Sequence, residues 1–303
     1  MLQYLISLNQ SCKTCFLRLN CSSMEELIVF FENIPTVFRA GILIGGIVIF
    51  WALEGVLPLF SFAYKKFRHG GINLFFTLTT AIIGFGLAGV LLAAADFVSA
   101  NEIGLLYIFN LPLWLKLVLG VLLMDLIGAY FVHWIEHKVK WMWKFHLIHH
   151  SDRHVDVTTG LRHHPGETVF RISFTILAVI IIGAPMWVVM LYQSLSVLFA
   201  HITHANIRMP KTIDRALSFV FVTPYMHKVH HHFEQPLTDT NYGNIFSIWD
   251  RLFGTFAQVD NTENLIYGVD THMSPDENQQ MGNLLKIPFQ PYRPTPQKVA
   301  RKS

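Results

Sequence analysis

Four apolar runs decide what this chain can fold into. Residues 38–62 ("FRAGILIGGIVIFWALEGVLPLF" and its flanks), 73–98 ("NLFFTLTTAIIGFGLAGVLLAAADFV") and 112–132 ("PLWLKLVLGVLLMDLIGAYFV") each supply what a bilayer-spanning helix needs, about 20 apolar residues. The fourth run, 168–200, is too long for one span and is interrupted at Gly183-Ala184-Pro185. Two arms of about 15 residues would reach only about 22 Å each at 1.5 Å per residue. The run is therefore expected to form a helical hairpin that enters the bilayer and returns on the side it came from. Composition agrees: 14% of residues are charged, against about 25% in soluble domains. The formal net charge of +3 is too small to argue for nucleic acid. No linker, low-complexity tract or long-period repeat divides the chain, so one domain is expected. The expected fold class is all-α and polytopic, with three full spans plus a hairpin.

Basic residues set the orientation. The loop after the first span, "YKKFRHGG", is basic, and residues 99–111 hold no Lys or Arg. Lys138, Lys140, Lys144, Arg153 and Arg162 come after the third span. Residues 64–71, and everything after 133 outside the hairpin, are therefore expected in the cytosol. A returning hairpin lets early and late segments meet there.

Those segments are rich in histidine. "HWIEH" gives His133 and His137, "HLIHH" gives His146, His149 and His150, "HITH" gives His201 and His204, and "HKVHH" gives His227, His230 and His231. Residues three and four apart share a helix face, so each group aims its imidazoles one way. Thr223 and Pro224 mark the start of the last helix, as cap and first helical residue. In one straight helix over 133–150, at 100° per residue, the first pair would face away from the second group. A break between 138 and 145 is expected, although neither Gly nor Pro marks it. A lone interior histidine is ordinarily a hydrogen-bonded core residue, but a cluster that charged near neutral pH would repel itself. A bound cation removes that cost, because neutral imidazole is a metal ligand. The candidates suffice for two ions with four or five ligands each. Imidazole suits Zn, Cu, Fe and Ni, so a redox enzyme, a zinc-dependent membrane hydrolase and a metal-binding transporter all remain open from spacing alone.

In order, these segments resemble the fatty acid hydroxylase superfamily, in its sterol desaturase branch, over about 120–256. "DLIGAYFVHWIEH" is similar to D-x-x-x-x-Y-x-x-H-x-x-x-H, "WKFHLIHHSD" to W-x-x-H-x-x-HH-S, "TTGLRHHPGE" to T-x-x-R-x-HP-x-E, and "HANI" to a His-x-Asn element. "TPYMHKVHHH" with "NYGNIFSIWDRLFGTF" is similar to the closing block, with His232 where the family often has Ser. The resemblance implies a membrane-embedded enzyme with two non-haem Fe ions. Such an enzyme uses O2 and external electrons from a separate ferredoxin or reductase to hydroxylate or desaturate a lipid, of sterol or fatty-acyl type. It implies His133, His137, His146, His149, His150, His164, His204, His227, His230 and His231 as ligands. His163 and His201 lie outside its fixed positions. Asn241 would orient a ligand or water, or form a turn. Arg162 and Glu167 would fix ring orientation, or form a surface ion pair.

Two charges sit within spans. Asp125 would either face the metal site and hold an imidazole or snorkel to the interface; a mid-span carboxylate costs about 2.5–3.5 kcal/mol. Glu54 carries the same ambiguity. The expected organisation is 1–36 as extension and amphipathic helix, 37–133 as spans, 134–260 as the His-rich catalytic region with hairpin 168–200, and 261–303 as tail. Ser23 is expected to cap the first helix, with Glu25 and Glu26 in its first turn. Cys12-x-x-Cys15 has no second pair and makes a poor zinc site.

Overall fold

The computed structural model describes residues 21–295. The Cys12-x-x-Cys15 pair and the end of the tail lie outside them. The main helices are α1 (Cys21–Glu32), α2 (Thr36–Val56), α3 (Lys66–Ala100), α4 (Leu113–Asp125), α5 (Val132–Lys138), α6 (Lys140–His150), α7 (Pro165–Ile182), α8 (Met186–His204), α9 (Lys211–Leu217), α10 (Pro224–His230) and α11 (Ile248–Leu252). No β-strand occurs among the described residues, only isolated bridges. Helix α1 begins at Cys21, ahead of the expected cap at Ser23.

Among the described residues, five helical stretches are long and apolar enough to cross a membrane: Thr36–Val56, Lys66–Ile108, Leu113–Lys138, Pro165–Ile182 and Met186–His204. Bulky apolar side chains such as Val48, Ile49, Leu78, Ile82 and Phe85 stay exposed on them. Such a belt would be costly in water and is ordinary against acyl chains.

The hairpin breaks where the sequence indicated. Gly183 takes φ 74°, a left-handed cap that closes α7, and Pro185 precedes α8. The arms are longer than the apolar count suggested, 18 and 19 residues, or about 27–29 Å. Their polar ends, Pro165–Thr168 and His201–His204, remain helical. At the tip, a Cβ on Gly104 would meet Gly183 N at 2.2 Å. The tip therefore packs on the loop between α3 and α4, and the hairpin reaches as far as the spans do. Its two open ends, Pro165 and His204, lie together at the other end. The core between the arms and α4 is built from Val121, Met124, Val179, Ile182, Trp187 and Val188.

Two irregularities shape the stretch that carries the first histidines. Residues Leu126–Phe131 form a π-helical turn between α4 and α5, a widened turn frequent at functional sites. Val139, at φ −96° and ψ 107°, then breaks the chain between α5 and α6. This is the break expected between 138 and 145.

Candidate metal centre

The break at Val139 folds α6 back on α5, so that His133 Nε2 lies 3.0 Å from His146 Nε2 and His137 Nε2 lies 3.2 Å from His150 Nε2. His230, on α10, completes a set of five: His133, His137, His146, His150 and His230. A second set holds His149, His204, His227 and His231. Within each set one ligand atom per residue lies within 4.8 Å of all the others. Helical periodicity deals out the members. On α6, His146 and His150 are four apart and serve the first set, while His149 points into the second. On α10 and the residue after it, His230 serves the first set and the i, i+4 pair His227 and His231 the second. The sets are neighbours: the His150 and His231 rings are 4.7 Å apart.

The hydrogen bonds on the far side of several rings fix what the near side can be. His133 Nδ1 donates to Tyr242 O (2.8 Å), His204 Nδ1 to Ala200 O (2.8 Å) and His230 Nδ1 to Thr240 O (2.6 Å). A carbonyl only accepts, so in the neutral rings Nε2 is a bare lone pair. His146 Nδ1 donates in the same way to Glu167 Oε1 at 2.8 Å. The lone pairs of His133 and His146 thus face each other at 3.0 Å with no proton between them. His204 Nε2, bare for the same reason, lies 2.9 Å from His227 Nε2. Nitrogens about 2.0–2.1 Å from one ion and at right angles to each other are about 3 Å apart, so these contacts have the dimensions of coordination edges. His230 Nε2, buried, has no hydrogen-bond partner among the described residues. The nine side chains fit two metal ions.

Electrostatics point the same way. Burial pushes His149, His150, His227, His230 and His231 well below the ordinary histidine range. Burial also takes His146 down to about 3, although Glu167 pulls it upward. Neutral rings are the ligating form.

The other expected site residues divide. Glu167 is fully buried and its Oε1 accepts from His146, from His163 Nδ1 (2.8 Å) and from Arg171 Nε (2.8 Å), so it holds a ring. Arg162, also buried, touches no imidazole. It donates to Ile148 O, Ser151 Oγ, Asn73 Oδ1 and Asn278 O, and so grips the end of α6. Asp125 neither holds an imidazole nor snorkels: it is fully buried and accepts from the Ile245 and Phe246 N–H groups and Trp249 Nε1. Asn241, at φ 55°, bonds Met226 O and Ala257 through its amide and ties the loop beneath α10. His164 stands apart from both sets. It caps α7, its Nδ1 accepting from Gly166 N at 2.9 Å. His201 is buried against Gly46 and joins neither set, whereas His163 stacks on His149 at 4.6 Å and lies beside Glu167. Thr223 caps α10 as expected.

Sequence reading missed several supports. Glu136 is fully buried and takes Arg171 Nη2 at 2.7 Å. Asp239 Oδ1 lies 3.2 Å from His137 Nδ1. Lys228, fully buried, donates to His204 O. Glu54, singled out in the sequence with its role left open, accepts from Val157 N and Asn206 N, which pins the chain just past His204. The available signal for Glu136 was its place in "HWIEH", between two candidate ligands.

An all-helical membrane protein whose helices gather nine imidazoles into two adjoining sets is the class that fold and site define. Residues 117–255 match the family model for fatty acid hydroxylase, which supports placing this part of the chain in the fatty acid hydroxylase superfamily. Among curated proteins it is similar to the ornithine lipid hydroxylase OlsE of Rhizobium tropici, 32% identical over 145 residues, 48% of this chain and 43% of the relative. It is similar also to the alkylglycerol monooxygenase of Homo sapiens, 31% identical over 174 residues, 54% of this chain and 36% of the relative. A third relative is the cholesterol 25-hydroxylase-like protein 1, member 2, of Danio rerio, 30% identical over 154 residues, 48% of this chain and 53% of the relative. The chain thus spans about half or less of the length of these relatives. No solved structure matches it significantly.

Proposed function

We propose that this protein is a membrane-bound lipid hydroxylase that inserts oxygen from O2 into a C–H bond, with two iron ions held by His133, His137, His146, His150 and His230 and by His149, His204, His227 and His231. The observation that carries this reading is the convergence of nine buried imidazoles, several locked with Nε2 bare, into two touching sets. The relatives' names, hydroxylase and monooxygenase, support the reaction class. When bound, a redox-active metal pair supplies O2 activation and the cleavage of an unactivated C–H bond, chemistry that no side chain here can perform.

The chain supplies the rest. The carbonyls of Tyr242, Ala200 and Thr240 and the carboxylates of Glu167 and Asp239 orient ligand rings from behind. Such partners also raise ligand basicity. Burial keeps the rings neutral and excludes water. The membrane helices surround the site with apolar surface suited to an alkyl chain. Electrons come from a separate ferredoxin or reductase. Basic residues at 65–68 and 138–144 support a cytoplasmic location for the site.

The test is oxygen-18 incorporation. The purified protein, reconstituted with iron, reductant and a lipid extract, is expected to place one atom from labelled O2 in a lipid product. His149→Ala is expected to abolish this. Label arriving from water instead, or full activity in the variant, overturns the reading.

A further inference from the structure

Outside the imidazole sets, one cavity of about 270 Å³ opens beside the start of α3, lined among others by Lys65, Arg68, Arg153 and His154, with Arg162 and Asp152 deeper in. Three features set it apart from an ordinary charged surface. First, Lys65, Arg68 and Arg153 are exposed and converge on one concavity, yet none of them has an ion-pair partner among the described residues. Second, the cations at Lys65 and Arg68 sit at the N-terminus of a 35-residue helix that no side chain caps. Cations there oppose the helix dipole, which favours an anion instead. Third, Arg162 is 1% exposed and spends four N–H groups, one from Nε, one from Nη1 and two from Nη2, on protein acceptors. A guanidinium has five, so one Nη1 hydrogen is left without an acceptor among the described residues, in a side chain that lines the cavity.

The carboxylate in the lining does not cancel this charge. Asp152 is taken up by its own partners: His69 Nε2 at 2.8 Å to both oxygens, Thr159 Oγ1 at 2.7 Å and the His154 N–H at 3.0 Å. Tyr64 and His154 stack at 4.8 Å and 5°, which gives one side of the cavity a rigid wall.

We propose that this cavity binds a phosphate-type anion, carried by a lipid headgroup or by a soluble ligand. Guanidinium groups match phosphate geometry, and the cavity's position at the start of α3, the first turn of a membrane-length helix, suits either source. Arg162 donates to the backbone of α6, the helix that carries His146, His149 and His150. A bound anion would therefore tighten the floor under the imidazole sets. The inference rests on the cations and the cavity and stands whether or not the proposed reaction is right.

The test uses the full chain in neutral detergent and two probes. Inorganic phosphate is titrated while thermal unfolding is followed, against chloride at equal ionic strength. Phosphatidic acid is offered against phosphatidylcholine, with retention read by native mass spectrometry. The double variant Arg68→Gln/Arg153→Gln changes only exposed side chains and leaves every imidazole in place; Lys65→Gln is the milder second variant. Saturable stabilisation by phosphate, with a midpoint at least tenfold higher in the double variant, supports a soluble anion. Retention of one phosphatidic acid, lost in the variant, supports a headgroup. Binding of both probes that is unchanged in the variants, or no saturable binding of either, overturns the proposal.

Discussion

Glu167 Oε1 stands 2.8 Å behind His146 Nδ1, and the same oxygen takes Arg171 Nε at 2.8 Å. Arg171 in turn reaches Glu136 Oε2 at 2.7 Å. One arginine on the membrane hairpin thus joins two buried carboxylates to a candidate ligand. Partners of this kind typically contribute about 10–100-fold to metal affinity. Glu167→Gln is expected to weaken the first set by about that factor. Competition with a calibrated chelator measures it, and an unchanged affinity would separate Glu167 from the metal.

Asp125 makes a different prediction. Its carboxylate satisfies three donors of the 245–249 segment from inside a span. Asp125→Leu strands those donors, at about 1–3 kcal/mol each. A clear drop in the unfolding temperature in detergent is expected, with the imidazoles themselves unchanged. If the variant unfolds like the parent, the 245–249 loop is not held by this residue.

The break at Val139 can be tested by register. One alanine inserted between Val139 and Lys140 turns His146, His149 and His150 by about 100° relative to α5. Metal content is expected to fall by more than half while helix content by circular dichroism stays near the parent's. Retained metal would mean that α6 need not face α5 in a fixed register.

Acid should destabilise the metal-free protein. Burial holds His149, His150, His227, His230 and His231 well below the ordinary histidine range. The unfolded chain then takes up protons first as pH falls through about 6.5, and the folded state only at lower pH. Stability is therefore complete above that point and is lost progressively below it. Denaturant melts of chelator-treated protein between about pH 8 and pH 5, at about half-unit steps, check the sign. A flat profile would contradict the burial of neutral rings.

Much of this architecture was legible in the sequence, for identifiable reasons. Gly183 and Pro185 punctuate the hairpin because one accepts the left-handed φ that closes α7 and the other leads into α8 as its N-cap. The break near Val139 came from the requirement that two imidazole faces meet, although no residue type marks it. The full depth of the hairpin was not legible, because counting apolar residues stops at the polar turns that still belong to α7 and α8. The π-helical turn at 126–131 leaves no compositional trace. Asp239, more than a hundred residues from His137, was invisible because only the fold brings them together. His164 shows the opposite limit: its motif neighbours are shared with ligands, yet its ring is spent on capping α7.

The most direct measurement is metal stoichiometry by mass spectrometry, paired with X-ray absorption at the iron edge. Two ions per chain in a nitrogen- and oxygen-only environment are predicted, with His133→Ala and His227→Ala each depleting a different one. A single ion per chain, sulfur in the coordination sphere, or two variants that lose the same ion would contradict the account.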